Sequence, residues 1–239
     1  MGGRLLRDGA VVAVSRVPGT LSGRPPSGGT IGIISGSRTC LPAFTRSLTI
    51  SAKPDDTRLI WGEGSDIVGQ CNQICRNYRG GWVWFMGDDH VFQPDLLPRL
   101  LEHQVDVVVP LCLKRTPPFD PVVYGGQNEL DQYYVADLPQ TGLAEVYAAG
   151  SAGMLVRSHV LRAIEDPWFE SHGGMNEDLT FCAKVRDAGF RIWCDVDCLL
   201  GHLSGHTVWP ARRDDGWHAD LEIDRSLVLP IVRRLKVPA

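Results

Sequence analysis

The sequence GWVWFMGDDHVFQPD, residues 81–95, gives the first structural prediction for this chain. Five apolar residues, Trp82 to Met86, predict a buried β-strand, and the run Gly87-Asp88-Asp89-His90 follows it at once. Two carboxylates and an imidazole directly after a strand are typical of either a polar turn or a metal site. The neighbouring segments decide between these two interpretations.

Strands and helices alternate on both sides of this stretch. Apolar runs predict strands over residues 30–34, 57–61, 82–86, 105–113, 142–147 and 190–195. Helical periodicity predicts helices over residues 41–50, 66–78, 94–103, 158–164 and 176–188. This alternation predicts an α/β fold, a Rossmann-like three-layer α/β/α sandwich with a mostly parallel central sheet. Ligands of such sheets bind outside the carboxyl ends of the strands, where Asp88, Asp89 and His90 are expected.

The composition of the chain argues against several classes of protein. The 239 residues are 44% hydrophobic and 22% charged, as in an ordinary globular protein, and the formal net charge of −4 argues against a nucleic-acid partner. No apolar run approaches the roughly 20 residues that a transmembrane helix needs, and the patch at residues 10–14 is too short for a secretory signal. We therefore expect a cytoplasmic protein.

Residues 1–29, rich in Gly, Pro, Ser and Arg, predict a poorly ordered N-terminal tail.

The seven cysteines do not predict a disulfide framework, because their number is odd and several lie in apolar segments. Two pairs, Cys71 with Cys75 and Cys194 with Cys198, are each spaced by four residues and could together form a four-thiolate zinc site. Their loose spacing favours the alternative of reduced, mostly buried thiols.

A second group of polar residues lies in the C-terminal half. Glu177 and Asp178 open a predicted helix, where the helix dipole alone is enough to explain two acidic residues. The strand that follows this helix runs towards the segment Gly201-His202-Leu203-Ser204-Gly205-His206. Two histidines in a short glycine-flanked segment after a strand are suggestive of a ligand site, so the functional interpretation of the acidic pair gains weight.

Taken in order, these features resemble the GT-A-fold glycosyltransferases, most of all the family 2 type. The likeness covers roughly residues 30–206 and rests on the strand ending in Asp88-Asp89-His90, the segment Gly150-Ser151-Ala152-Gly153-Met154-Leu155, the pair Glu177-Asp178 and the pair Gly201-His202. It implies that residues 30–239 form one GT-A catalytic domain. The nucleotide-binding half would span about residues 30–113 and the acceptor half about residues 114–210, with a C-terminal tail after that.

The resemblance also implies a reaction. A sugar would move from a nucleotide-diphosphate sugar to a hydroxyl of a carbohydrate or another acceptor, and the diphosphate would need Mn²⁺ or Mg²⁺. The implied metal ligands are Asp89, His90, Asp88 and His202, with His206 as a competitor of His202. Many relatives have aspartate at the position of Gly87. Either Asp88 and His90 are therefore the paired ligands, or Asp89 is the main one.

Further roles follow from the resemblance alone. In inverting relatives the aspartate of the Glu-Asp pair is the general base, which implies Asp178, with Glu177 as alternate base or acceptor-orienting group; the helix start should keep Asp178 ionised. The implied nucleotide-sugar contacts are Ser35, Ser37, Arg38, Glu63, Asn72 and Asp88. The implied acceptor contacts are Gly153, Met154 and Trp168. Trp209 and Trp217 could likewise stack on sugars or simply pack.

Two other functions remain open on the sequence. A nucleotidyltransferase would carry a Gly-rich loop with a basic residue after the first strand, and Ile34-Ser35-Gly36-Ser37-Arg38 is a partial match. The absent carboxylate at Gly87 also fits a catalytically weak protein that binds nucleotides or sugars.

Overall fold

The computed structural model describes residues 28–36, 41–64, 66–172, 175–204, 206–223 and 227–231. The predicted N-terminal tail lies outside these residues except for Gly28 and Gly29. The helices are α1 (Pro42–Ile50), α2 (Ile67–Asn77), α3 (Leu96–Glu102), α4 (Ser158–Ala163) and α5 (Glu177–Asp187). The strands are β1 (Thr30–Ile34), β2 (Arg58–Trp61), β3 (Trp82–Gly87), β4 (His90–Phe92), β5 (Val107–Cys112), β6 (Val123–Gln127), β7 (Tyr133–Val135), β8 (Leu143–Val146), β9 (Ala148–Ala149), β10 (Leu155–Arg157), β11 (Ile192–Ser204), β12 (His206–Arg213), β13 (Gly216–Ile223) and β14 (Leu227–Ile231).

One mixed sheet organises the fold. Within the described residues it has eleven strands, with the order β14-β13-β12-β11-β5-β10-β3-β1-β2, and β4 and β8 each pair with β11. Its central part is mostly parallel: β2, β1, β3, β5 and the start of β11 run in one direction, and β10 lies antiparallel between β3 and β5. A small second sheet has the order β7-β6-β9.

Alternation along β3 separates two hydrophobic cores, one on each face of the sheet. Trp82, Trp84 and Met86 pack with residues of α1 and α3, while Val83 and Phe85 pack with residues of α2, α4 and α5. Helices therefore cover both faces, and the predicted α/β three-layer sandwich is confirmed. A strand that is buried on both faces must be apolar throughout, which explains the continuous run before Gly87.

Two regions differ from the sequence-based expectation. The chain after residue 210 forms β13 and β14 where we expected a tail, and Trp217, Ala219 and Leu221 alternate there with polar residues, which is a strand signal. Residues 116–127, where we predicted no strand, end in β6.

The cysteines do not form the four-thiolate site. All six described cysteines are free and buried. Cys71, Cys75 and Cys194 belong to the core on one face of the sheet, whereas Cys198 belongs to the core on the other face. The four thiols are therefore divided by the sheet, and the alternative of reduced, buried thiols is the one that the structure supports.

None of the helices in the described ranges is both long and apolar enough to cross a membrane.

Candidate active site

Asp88 joins the loop after β1 to the end of β3 through hydrogen bonds. The carboxylate is buried, accepts a hydrogen bond from Ser35 Oγ at 2.5 Å and lies 3.3 Å from the donating N–H of Gly36. Its own backbone N–H donates to the carbonyl of Ile34 at 3.0 Å. Asp88 therefore faces the first loop, on the side where nucleotide contacts were predicted.

Gln70 supports the same loop from α2. The backbone N–H of Ser35 donates to Gln70 Oε1 at 2.8 Å, and Gln70 Nε2 donates to the carbonyls of Ser35 at 3.0 Å and Gly64 at 2.8 Å. Two of these hydrogen bonds hold the loop at the carboxyl end of β1, and the third joins the same buried amide to the loop after β2. Gln70 gave no signal in the sequence, because its partners are backbone atoms, which a residue pattern does not reveal.

His90 and His202 meet across a strand pair. β4 runs antiparallel to the end of β11, and the two histidines are partners in that pairing. Their rings stack with centroids 4.4 Å apart and an interplanar angle of 21°. The sheet register therefore joins two histidines that lie 112 positions apart in the sequence.

Asp89 lies between these histidines and Arg115. One carboxylate oxygen is 2.8 Å from His90 Nδ1; the other is 2.8 Å from Arg115 Nη1 and 3.4 Å from His202 Nε2. Burial alone would raise the pKa of Asp89, but the hydrogen bonds from His202 and His90 outweigh it and hold the pKa well below its usual range. Asp89 is therefore a carboxylate at any physiological pH.

The acceptors around the two rings fix where their protons lie. His202 Nδ1 is 3.0 Å from the carbonyl of Leu113, and His90 Nδ1 contacts Asp89 and, at 3.3 Å, the carbonyl of Gly87. A carbonyl or carboxylate can only accept, so Nδ1 of each ring is the donor in these contacts. His202 Nε2 faces the Asp89 carboxylate at 3.4 Å: a protonated Nε2 donates to this carboxylate, and an unprotonated Nε2 can share a cation with it.

Cys112 completes this group at the end of β5. His90, Cys112 and His202 each offer a ligand atom, and these atoms lie within 4.8 Å of one another. The Cys112 thiol is buried, with a weak contact of 3.6 Å to the carbonyl of Leu113. Burial, followed by the nearby Asp89 charge, raises the pKa of this thiol to about 12.

Asp178 lies in the first turn of α5, as predicted. It is half-buried, and its carboxylate accepts from the backbone N–H of Leu179 at 2.8 Å. Burial, reinforced by the charge of Glu177, raises the pKa of Asp178 to about 6. We expected the helix start to keep this carboxyl ionised. Desolvation outweighs the effect of the helix start on the pKa, but a carboxyl with a pKa of about 6 is still mostly ionised at pH 7.

One small cavity brings the two predicted clusters together. Its volume is about 140 Å³, and its walls include His90, Cys112, His202 and Asp178. Gly150, Ser151 and Ala152 form another wall, and Val109, Pro110 and Val122 close it. The histidines after β3 and β11 and the carboxylate of α5 therefore share one space.

Two glycines prevent steric clashes near this space, Gly87 beside Asp89 and His90 and Gly150 in the cavity wall. A Cβ at Gly87 would lie 2.9 Å from both Asp89 Oδ1 and His90 Nδ1, and a Cβ at Gly150 would lie 2.7 Å from Val122 Cγ1. Gly87 therefore leaves room for the Asp89–His90 contact, which a carboxylate at that position would displace.

Several predicted contacts lie elsewhere. Asn72 is buried, and its amide exchanges two hydrogen bonds with the backbone of Phe169, at 2.8 and 3.0 Å, so its role here is structural. Met154 is fully buried in the core, and its neighbour Gly153 approaches Pro110, so residues 150–152 line the cavity in their place. Trp168 packs on the core and donates to the carbonyl of Leu161 at 2.7 Å.

The remaining predicted residues divide by position. Glu63 is exposed on the loop after β2. Ser37, Arg38 and the side chain of His206 lie outside the described residues. Trp217 donates to the carbonyl of Pro139 at 3.3 Å. Trp209 donates to Glu222 at 2.6 Å and lines an open groove of about 610 Å³ that is separate from the cavity.

Cys112 and Arg115 were missed by the sequence analysis. Both lie at the carboxyl end of the predicted strand 105–113, at the same sheet edge as Asp88-Asp89-His90. Ligands bind outside the carboxyl ends of the strands in such sheets. The same rule that placed Asp88 and Asp89 near the ligand would have pointed to these two residues, because they follow a neighbouring strand.

Comparison with known proteins gives a family and a fold. Residues 36–159 match the family model described as "Glycosyl transferase family 2". No curated protein sequence matches the chain.

Two solved structures are similar in fold. The crystal structure of A197 from STIV has a TM-score of 0.56 and 14% sequence identity, over 88% of this chain and 98% of that one. The crystal structure of GalNAc-T7 with UDP, GalNAc and Mn²⁺ has a TM-score of 0.52 and 10% identity, over 73% of this chain and 44% of that one. At such identities the likeness is one of fold, and this chain spans less than half the length of GalNAc-T7.

Proposed function

The chain belongs to glycosyl transferase family 2, and we propose that it transfers a sugar from a nucleotide-diphosphate sugar to an acceptor hydroxyl, with inversion at the anomeric carbon. The observation that carries this proposal is the shared cavity, in which Asp178 faces the same space as His90 and His202. A base and a cation-binding group on one small space are what a displacement at a sugar carbon requires.

Asp178 is the general base in this proposal. Its carboxylate takes the proton of the acceptor hydroxyl while the acceptor oxygen bonds to the anomeric carbon. The bond between that carbon and the diphosphate oxygen breaks, and the nucleoside diphosphate leaves with the electron pair. A carboxyl with a pKa of about 6 is mostly ionised at pH 7 and is a stronger base than an exposed aspartate.

Glu177 has a supporting role. It precedes Asp178 at the helix start, and its negative charge is the second cause of the raised pKa. Glu177 therefore strengthens the base through its charge, and it can also orient the acceptor.

The donor would lie on the opposite side of the cavity. His202 Nε2 and the Asp89 carboxylate face each other at 3.4 Å, a separation that fits two ligands of one divalent cation, and His90 lies beside them. A bound divalent cation would neutralise charge on the leaving diphosphate. Asp88 and Ser35, which are tied together after β1 and β3, would border the nucleotide.

Gly150, Ser151 and Ala152 would border the acceptor. They form the wall beside Asp178, and a Cβ at Gly150 would lie 3.6 Å from Asp178 Oδ2. A larger residue at position 150 would therefore reduce the space in which the acceptor hydroxyl meets the base.

Transfer assays with a panel of nucleotide-diphosphate sugars, with Mn²⁺ present, test the proposal. Asp178→Asn keeps the size of the side chain and removes the base, so it should lower kcat by about 10²–10⁴-fold. Asp187→Asn, an exposed position on the same helix, is the matched control and should retain wild-type rates. Product of the inverted anomer is expected.

Three outcomes would contradict the proposal. Transfer by Asp178→Asn near the wild-type rate would exclude Asp178 as the base. A product with the donor's anomeric configuration would exclude inversion. Release of pyrophosphate from a nucleoside triphosphate, without turnover of any sugar donor, would favour a nucleotidyltransferase.

A further inference from the structure

We propose that Cys112 is a metal ligand together with His90 and His202, and that this thiolate-containing site binds a soft divalent ion such as Zn²⁺ in preference to Mn²⁺ or Mg²⁺. The three ligand atoms lie within 4.8 Å of one another in the described chain. A tetrahedral zinc ion with bonds of 2.0–2.3 Å holds its ligand atoms roughly 3.5 Å apart, so small side-chain rotations close the set.

The sheet register fixes this grouping. Leu200 of β11 is the partner of Cys112 in β5 and of Phe92 in β4, and His202, two residues further on, is the partner of His90. Residues two apart on a strand point to the same side, so His202 lies over the carboxyl end of β5, where Cys112 is located. Three neighbouring strands therefore present the three ligands.

A buried nitrogen without a partner points to a missing ligand. His90 is buried, and its Nε2 has no hydrogen-bond partner among the described residues. A buried polar atom without a partner destabilises a fold, so a native fold keeps one where another species satisfies it. The cavity that His90 lines contains Cys112 and His202 as well.

Both imidazoles are oriented as metal-binding histidines are. Each Nδ1 faces an acceptor, the Asp89 carboxylate for His90 and the Leu113 carbonyl for His202. Metal-bound histidines usually donate their other N–H to such a carboxylate or carbonyl, which fixes the ring and leaves Nε2 for the metal. In this arrangement one oxygen of Asp89 holds the His90 ring through Nδ1, and the other oxygen faces His202 Nε2.

The thiol decides which ion the site prefers. Thiolate and imidazole ligands suit Zn²⁺, whereas Mg²⁺ and Mn²⁺ favour carboxylate, carbonyl and water oxygens. On binding, the S–H bond of Cys112 breaks, the sulfur keeps the electron pair and bonds to the metal, and the proton leaves to solvent. The buried and otherwise weakly bonded thiol of Cys112 is available for this exchange.

This inference concerns the site of the proposed transfer reaction and rests on that proposal only for its catalytic meaning. Its test measures metal binding without any substrate. A chain that binds zinc through Cys112 without transferring sugar would refute the transfer reaction alone, and a transferase without the thiolate bond would refute this inference alone.

The experiment is a Co²⁺ titration of the metal-free, reduced, full-length protein, followed by absorption spectroscopy. Wild type should show a thiolate-to-cobalt charge-transfer band in the near ultraviolet together with the intense visible bands of a four-coordinate ion. Cys112→Ser should lose the charge-transfer band. Cys194→Ser is the matched control, since Cys194 is a buried thiol of β11 that belongs to the core on the other face, and it should keep the band.

Calorimetry with Zn²⁺ and with Mn²⁺ gives a second readout. Loss of an outer-sphere partner already weakens metal binding by about 10–100-fold, so loss of the Cys112 ligand should weaken Zn²⁺ binding at least tenfold. The affinity for Mn²⁺ should change less.

Wild-type protein that is saturated with Co²⁺ without a charge-transfer band overturns the inference, even if Cys112→Ser fails to fold. Equal losses of Zn²⁺ and Mn²⁺ affinity in Cys112→Ser would overturn it as well.

Discussion

At the scale of single residues, the ionised carboxylate of Asp178 lowers the stability of the fold at neutral pH. Its pKa rises from an ordinary value near 3.8 to about 6, so between these values the folded chain holds a proton that the unfolded chain has released. This contribution to stability is therefore complete below about pH 4 and is lost as the pH rises through about 6. Above pH 6 the native state contains a half-buried carboxylate that the unfolded state solvates better.

Asp178→Asn should therefore stabilise the protein at pH 7, while it lowers the rate of the proposed transfer. After allowance for partial exposure, we expect about 1–2 kcal/mol in the free energy of unfolding. Urea unfolding of wild type and variant from pH 4 to 8 measures this, and the difference should grow with pH and level off above 6. A difference that does not change with pH would show that Asp178 titrates normally, and Asp187→Asn should show no such trend.

At the scale of strands and helices, the elements that are buried on both faces were the ones that the sequence predicted well. The strands near 30–34, 82–86 and 105–113 were predicted because a strand covered on both faces leaves a continuous apolar run. β4 was missed, since three residues carry no period and the strand exists through its pairing with β11. The carboxyl-end rule located the candidate cluster at Asp88-Asp89-His90, whereas the approach of Cys112 to His202 depends on a register that no local pattern contains.

Asn72 was predicted to contact the nucleotide sugar, but its side chain holds two parts of the fold together. Its buried amide joins α2 to the backbone of Phe169 through two hydrogen bonds. Asn72→Ala should destabilise the fold by about 2–3 kcal/mol, because two buried backbone groups lose their partners. Donor affinity at a temperature where the variant is folded should equal that of wild type.

Thermal unfolding and calorimetric titration with donor measure the two effects. Asn77→Ala on the same helix is the control: Asn77 is exposed and, within the described ranges, its side chain bonds to the Gln73 carbonyl of its own helix, so its loss should cost less than about 0.5 kcal/mol. If Asn72→Ala lost donor affinity but kept its stability, Asn72 would be a ligand residue after all.

At the scale of the whole molecule, the candidate metal site is a product of the complete fold. Its residues come from β4, β5 and β11, and β11 begins 80 positions after β5 ends. The unfolded chain does not hold such ligands together, so a divalent ion should bind the native state far more tightly. Binding should therefore appear as global stability rather than as a local effect.

Removal of metal should accordingly lower the melting temperature of the whole chain. An ion at about 100 times its Kd adds about 2.7 kcal/mol, which for a domain of this size corresponds to about 5–10 °C. Calorimetric scans with Zn²⁺, and again after a chelator, measure the shift. The His202→Ala variant should show a much smaller shift, whatever its own melting temperature, because the comparison is made within each variant. Equal shifts in wild type and His202→Ala would mean that the ion binds elsewhere, and then neither His202 nor the strand pairing that carries it could organise the site.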